Sequence, residues 1–127
     1  MSNLRRIPLK ERVRSFGCAF AGLGDMLRQE HHARIHCIAA VLVIAAGFFF
    51  RISATEWLAV IFAIGFVFAS ETVNTAIERL ADVVQPEHDN RIRDVKDLAA
   101  AAVLVAAITA LAIGVLVFLP KFLALLG

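Results

Sequence analysis

Three long stretches of the chain contain no charged residue, and aliphatic and aromatic side chains dominate each of them. They cover Ile35–Phe50, Trp57–Ser70 and Leu98–Pro120, which are 16, 14 and 23 residues long. A helix rises about 1.5 Å per residue and a bilayer core is about 30 Å thick, so the third stretch is long enough to cross a membrane. The other two reach that length with their flanking turns. Membrane spans are therefore expected at about 34–51, 53–71 and 97–119.

The segment before the first span has apolar residues at alternating steps of four and three. They are Leu9, Val13, Phe16, Phe20, Leu23 and Leu27. This spacing places them on one face of a helix, and most charged residues of the segment lie off that face. A basic amphipathic helix beside a span is typical of a helix in the lipid headgroup layer, which we expect over about 5–30. Nucleic-acid binding is the alternative for such a segment, but no base-stacking aromatic residues interleave with its arginines, so no nucleic-acid partner is expected.

The connections between the predicted spans have distinct patterns. Ser53 or Thr55 is suited to cap the second helix, which has no proline or glycine from Glu71 to Val84 and is expected to continue into the cytoplasm as far as residue 84. Residues 85–95 are polar and predict a loop, with Asp94 or Asp97 beginning the third helix. That helix is rich in alanine, which permits close helix contacts inside a membrane.

Composition and charge agree with a small membrane protein in a single domain spanning 1–127. Hydrophobic residues make up 60% of the chain, well above the share in soluble domains, and this excludes disordered and disulfide-scaffold proteins. All but two of the lysines and arginines lie before the first apolar stretch or between the second and third. The positive-inside rule therefore places the N-terminus and residues 79–97 in the cytoplasm. Cys18 and Cys37 then lie near the reducing side and are expected to be free thiols.

The polar residues that could carry chemistry are concentrated after Ser70. Glu71, Asn74 and Glu78 are spaced i, i+3, i+7, which aligns them on one helix face. An ionisable group at membrane depth costs about 2.5–3.5 kcal/mol to insert, which makes it a candidate for function. The alternative for Glu71 alone is that it marks the exit of the helix from the bilayer.

Further charged residues are expected at the same depth. Glu30 precedes the first span, and Lys96 and Asp97 stand at the start of the third. Carboxylates with a lysine suit a magnesium–nucleotide site, because Mg²⁺ takes one or two carboxylates plus phosphate oxygens. Scattered interfacial charges are the alternative.

His32 and His36 have a spacing that could hold a metal, but no third ligand is near, so an interfacial role is favoured. The phosphate-binding loop and the protein-kinase motifs are absent.

At these residues the sequence resembles the prokaryotic diacylglycerol kinase and undecaprenol kinase family. Residues 71–78 (ETVNTAIE) match the family's Glu-x-x-Asn-[Ser/Thr/Ala]-x-x-Glu, and residues 95–104 (VKDLAAAAVL) match its Lys-Asp followed by small residues. Residues 86–88 (PEH), 14–16 (RSF) and the segment from Glu30 to His36 also agree with the family. The resemblance extends from about residue 12 to residue 117.

The resemblance implies an all-α, ATP-dependent lipid kinase of the bacterial inner membrane, working as a homotrimer with shared sites. Glu71 would be the general base on the lipid hydroxyl and Asn74 would help to position it, while Glu30 and Glu78 would hold Mg²⁺. Nucleotide contacts are implied for Arg14, Glu87, His88, Asp89, Lys96 and Asp97, and lipid contacts for Arg34 and Ser70. The details of residues 30–36 and 74–78 look more like the undecaprenol branch, but diacylglycerol stays open as the substrate. A membrane adaptor and an ion carrier using Glu71 are the rival classes.

Overall fold

The computed structural model describes residues 8–127, and within them the chain is entirely helical. The helices are α1 (Leu9–Gln29), α2 (His31–Phe49), α3 (Ala54–Val84) and α4 (Asn90–Leu126). Three of them, α2 to α4, are long and apolar enough to cross a membrane, which confirms the predicted number of spans. Of the first predicted helix, residues 5–7 lie outside the described residues, and the helix observed begins just after Pro8.

A single residue, Glu30, separates α1 from α2. Its backbone is extended, with φ −96° and ψ 117°. The N–H of Glu30 donates to the carbonyl of Met26 at 2.8 Å and ends α1, while its own carbonyl accepts from the N–H of Arg34 at 3.3 Å. Each helix end therefore has a hydrogen-bond partner despite the sharp change of direction. Glu30 consequently lies at the corner between the two helices.

The turn between α2 and α3 has a well-formed cap. Arg51 has a positive φ of 51°, which lets the chain reverse in a few residues. The Ser53 hydroxyl accepts from the N–H of Glu56 at 3.2 Å, and the Glu56 carboxylate accepts from the N–H of Ser53 at 2.8 Å. This reciprocal arrangement is a capping box, so of the two predicted caps the structure selects Ser53. Lys121 of α4 lies 2.9 Å from the same carboxylate and joins the far end of α4 to this turn.

The predicted start of α4 at Asp94 or Asp97 is wrong, because the helix begins at Asn90. The Asp89 carboxylate accepts from the N–H of Arg91 at 2.8 Å and from its guanidinium at 2.9 Å. The helix also continues through Pro120 to Leu126, beyond the expected end at 119. The loop thus spans only residues 85–89, and the polar residues that follow it belong to α4.

The cap at Asp89 also determines the charge of that residue. Hydrogen bonds from the Arg91 guanidinium and then from the Arg91 N–H lower the pKa of Asp89 from 3.8 to about 2. A lowered pKa in the folded state means that the contribution to stability is present above pH 3.8 and is lost as the pH falls through about 2. Asp89 is therefore an anion at neutral pH.

The single chain has only a small core. α3 and α4 pack along much of their length, whereas α1 and α2 contact α3 over shorter stretches. Ile52, Val60 and Val117 form the buried cluster, and Trp57 packs against it. Most large apolar side chains are exposed, as expected for helices that face lipid or further protein.

The close approach of α2 to α3 depends on Gly47. A Cβ at this position would lie 2.6 Å from Cη2 of Trp57 and 3.2 Å from Cδ1 of Ile52. Gly47→Ala should therefore destabilise the protein by about 1–3 kcal/mol, since overpacking forces neighbouring groups to shift. Gly65→Ala is the matched control, because a Cβ there has no neighbour within 4 Å. Denaturant unfolding in micelles should separate the two variants; equal stabilities would contradict this packing.

Candidate functional site

The polar segment of α3 is partly buried, as a functional site at membrane depth requires. Glu71 is 4% exposed and Thr75 is 6% exposed. Asn74 and Glu78 are half-buried on the same segment. The three polar residues thus lie on one stretch of α3, and the Glu71 carboxylate lies inside the chain's own packing.

The partner of Glu71 is a histidine on α2. Nε2 of His36 lies 3.1 Å from Oε1 of Glu71. The His36 side chain is 24% exposed and that of Glu71 is 5% exposed, so the pair is largely shielded from solvent. Sequence reasoning did not place His36 in the site. The available signal was its position within the otherwise apolar stretch 35–50, whereas His32, one turn earlier, is exposed.

Asn74 faces α4, whereas Glu71 faces α2. Within residues 8–127 its Oδ1 is buried and has no hydrogen-bond partner. Asn74 and Ser70 line a cleft of about 260 Å³ between α3 and α4, together with Ala99 and Ala102 of α4. An unpaired buried carbonyl costs about 1–3 kcal/mol, so this oxygen is suited to accept a hydrogen bond from another molecule.

A network of side chains fixes the end of α1 to α3. Arg79 donates to Asp25 at 2.7 Å and to Gln29 at 3.2 Å, and Gln29 donates to Asp25 at 2.6 Å. Gln29 and Arg79 are the sequence neighbours of Glu30 and Glu78. The network therefore joins the parts of α1 and α3 that adjoin Glu30 and Glu78 in the sequence.

Glu30 and Glu78 carry the carboxylate oxygens that Mg²⁺ prefers as ligands. Both residues are half-buried carboxylates. No group of three or more His, Cys, Asp or Glu residues suited to hold a metal exists in the part of the chain that the structure describes. Two carboxylates are nevertheless sufficient protein ligands for Mg²⁺ when phosphate oxygens and water supply the rest.

The predicted nucleotide residues are distributed over three elements. Lys96 of α4 forms an ion pair with Asp82 of α3, and Asp97 is exposed beside it. Glu87 and His88 are exposed in the 85–89 loop, whereas the Asp89 carboxylate is bonded to Arg91. Arg14 is exposed on α1, and the predicted lipid contact Arg34 is exposed in the first turn of α2. The structure thus gathers the loop and the start of α4 on one side but places no contact from Arg14 to them.

An apolar groove begins beside the buried pair, at His36. It runs between α2 and α4, has a volume of about 560 Å³ and reaches from His36 to Phe122. Small residues, Ala39, Ala46, Ala107, Ala110 and Gly114, line much of it. A hydrocarbon chain in this groove would bring a terminal polar group towards His36, the contact partner of Glu71. The arrangement suits general-base chemistry on an alcohol whose tail lies in the membrane.

Comparisons with known proteins relate the chain to lipid kinases. The sequence model of the prokaryotic diacylglycerol kinase family matches residues 17–118. The chain is 37% identical over 116 residues to an undecaprenol kinase of Bacillus subtilis, covering 91% of this chain and 94% of that protein. It is 32% identical over 113 residues to a diacylglycerol kinase of Synechocystis, covering 88% of this chain and 65% of that protein.

Proposed function

Because the chain belongs to the prokaryotic diacylglycerol kinase family and is a lipid kinase, we propose that it transfers the γ-phosphate of ATP to the hydroxyl of a membrane lipid alcohol. The observation that carries this proposal is the buried Glu71 carboxylate in contact with His36, a residue that lines one end of an apolar groove. A carboxylate in that position is suited to accept a proton from a lipid hydroxyl.

The proposed reaction is a direct phosphoryl transfer. The lipid oxygen attacks the γ-phosphorus, the bond from that phosphorus to the oxygen of ADP breaks, and the hydroxyl proton passes to Glu71. Asn74 helps to position the reacting groups. Bound Mg²⁺ would neutralise charge on the phosphates, with Glu30 and Glu78 as its ligands. Lys96, Asp97, Arg14 and the loop residues Glu87, His88 and Asp89 would contact the nucleotide.

The lipid substrate is proposed to be undecaprenol, with diacylglycerol as the second candidate. The undecaprenol kinase of Bacillus subtilis aligns over nearly its whole length, which supports this order. Arg34 and Ser70 would contact the lipid near its hydroxyl. Purified protein in vesicles should phosphorylate undecaprenol with a higher kcat/KM than diacylglycerol at equal mole fraction. A reversed preference would move the assignment to diacylglycerol, and no phosphorylation of either lipid would refute the proposed function.

A homotrimer with sites shared between chains is the proposed assembly. The small core and the many exposed apolar side chains leave large helix surfaces for neighbouring copies. The buried Oδ1 of Asn74, unpartnered within residues 8–127, lies in a cleft lined by alanines that a second helix could approach closely. Crosslinking in vesicles should yield dimers and trimers; monomers at every crosslinker concentration would contradict this assembly.

The proposed orientation places the N-terminus and the site in the cytoplasm of a bacterium, in its inner membrane. The chain is a multi-pass membrane protein, and the distribution of lysine and arginine supports this orientation. Helix α1 would lie in the headgroup layer with its apolar stripe towards the lipid. A cysteine introduced at Asn90 should react with an impermeant label only after cells are permeabilised. Labelling from outside would contradict the orientation.

A further inference from the structure

The Glu71 carboxylate lies close to a single polar side chain. Among residues 8–127, the contact of 3.1 Å to Nε2 of His36 is the one hydrogen-bonding or ionic contact to this carboxylate. Burial of a carboxylate is costly unless a donor satisfies it. The imidazole of His36 therefore provides a donor for the buried carboxylate, which no other side chain within residues 8–127 provides.

The contact engages one of the two carboxylate oxygens. Oε1 is the atom near His36, and Oε2 is left without a protein donor within the described residues. A carboxylate with one oxygen held in a contact cannot rotate freely, so the orientation of its second oxygen is fixed as well. A general base needs this property, because proton transfer requires its acceptor atom to lie within hydrogen-bond reach of the substrate.

His36 also stands at the end of the groove in which we place the lipid tail. It lines the 560 Å³ groove between α2 and α4 and also the smaller cavity of about 100 Å³ between α2 and α3. Ala33, one turn before His36 on α2, is completely buried and allows close packing of the helix at this level. The imidazole thus contacts the carboxylate and also lines the path of the lipid.

We propose that His36 is the positioning residue of the general base: Nε2–H donates to Oε1 of Glu71 and holds Oε2 ready for the lipid hydroxyl. This inference rests on the proposed function and adds a residue to its site. His36 itself takes no proton from the substrate. Its loss should lower the rate of the reaction and leave nucleotide affinity intact, because misplacing a reacting group by about 1 Å can cost 10²-fold in rate.

The test compares glutamine and asparagine at position 36, two amides whose side chains differ in length by one methylene group. Gln at position 36 can place an N–H close to where Nε2 of histidine lies, whereas the shorter Asn cannot. His36→Gln should keep kcat within about fivefold of the wild type, and His36→Asn and His36→Leu should lower it about 10–100-fold with an unchanged KM for ATP. His32→Leu, on the same helix but exposed, is the matched control and should behave as the wild type.

The outcomes separate this inference from the proposed function. If His36→Asn or His36→Leu keeps wild-type kcat, or if His36→Gln is as impaired as His36→Asn, the positioning role is wrong. The comparison of the two amides remains decisive even where His36→Leu does not fold. A wild-type protein that phosphorylates no lipid alcohol would refute the function itself, whereas an active wild type with an inactive Glu71→Gln variant would leave the function standing.

Discussion

Glu71→Gln is expected to lower kcat for lipid phosphorylation by about 10²–10⁴-fold, the range that a general base contributes. The amide keeps the size of the side chain but cannot accept the hydroxyl proton. Because the base acts on the lipid and not on ATP, nucleotide binding should be nearly unchanged. Steady-state kinetics with a parallel measurement of ATP affinity checks both parts of this expectation.

Glu11→Gln is a suitable control for this substitution, because Glu11 is exposed in the first turn of α1. It removes the same charge from the same chain and should leave kcat near the wild-type value. A Glu71→Gln variant that chiefly loses ATP binding would show that Glu71 belongs to the nucleotide site. The division of roles among the three glutamates would then be wrong.

Glu30→Gln and Glu78→Gln are expected to raise the Mg²⁺ concentration for half-maximal activity about tenfold or more, in addition to lowering turnover. Each change removes one anionic oxygen ligand and preserves side-chain size. Even mutation of a residue that only hydrogen-bonds to a metal ligand typically lowers metal affinity by about 10–100-fold. Titrations with free Mg²⁺ at saturating ATP should show the shift for both variants.

The response of Glu71→Gln to Mg²⁺ provides the contrast for those titrations. As a base and not a ligand, Glu71 should leave the half-maximal Mg²⁺ concentration of the residual activity unchanged. If Glu30→Gln and Glu78→Gln also leave it unchanged, these residues do not hold the metal. The Arg79 network would then serve only to attach α1 to α3.

The spans and the polar face of α3 were predictable because each depends on local sequence. Uncharged runs of sufficient length predict helices in a membrane, and the polar residues after Ser70 indicated the segment of α3 that contains the buried Glu71. The start of α4 was not predicted correctly. Residues 90–95 belong to the stretch 85–95 that polarity predicts as loop, yet a helix that extends into water is polar as well. Asp89 is the cap that marks its beginning.

The contacts between distant residues were beyond the reach of sequence patterns. His36 and Glu71 are 35 positions apart, and Arg79 is 54 positions from Asp25. Whether such residues meet depends on how α1 and α2 pack against α3, which no spacing within one helix determines. The same holds for Lys96, whose ion pair with Asp82 follows from the side-by-side packing of α3 and α4.

The central claim is that this chain moves a phosphate from ATP to a lipid alcohol at Glu71. The most direct test supplies γ-labelled ATP and Mg²⁺ to vesicles that contain undecaprenol and either the wild-type protein or Glu71→Gln, and counts the label in the extracted lipid. We predict label in the lipid with the wild type and at least 100-fold less with the variant, in line with the loss of a general base. Equal transfer by the two proteins, or none by the wild type, would contradict the account.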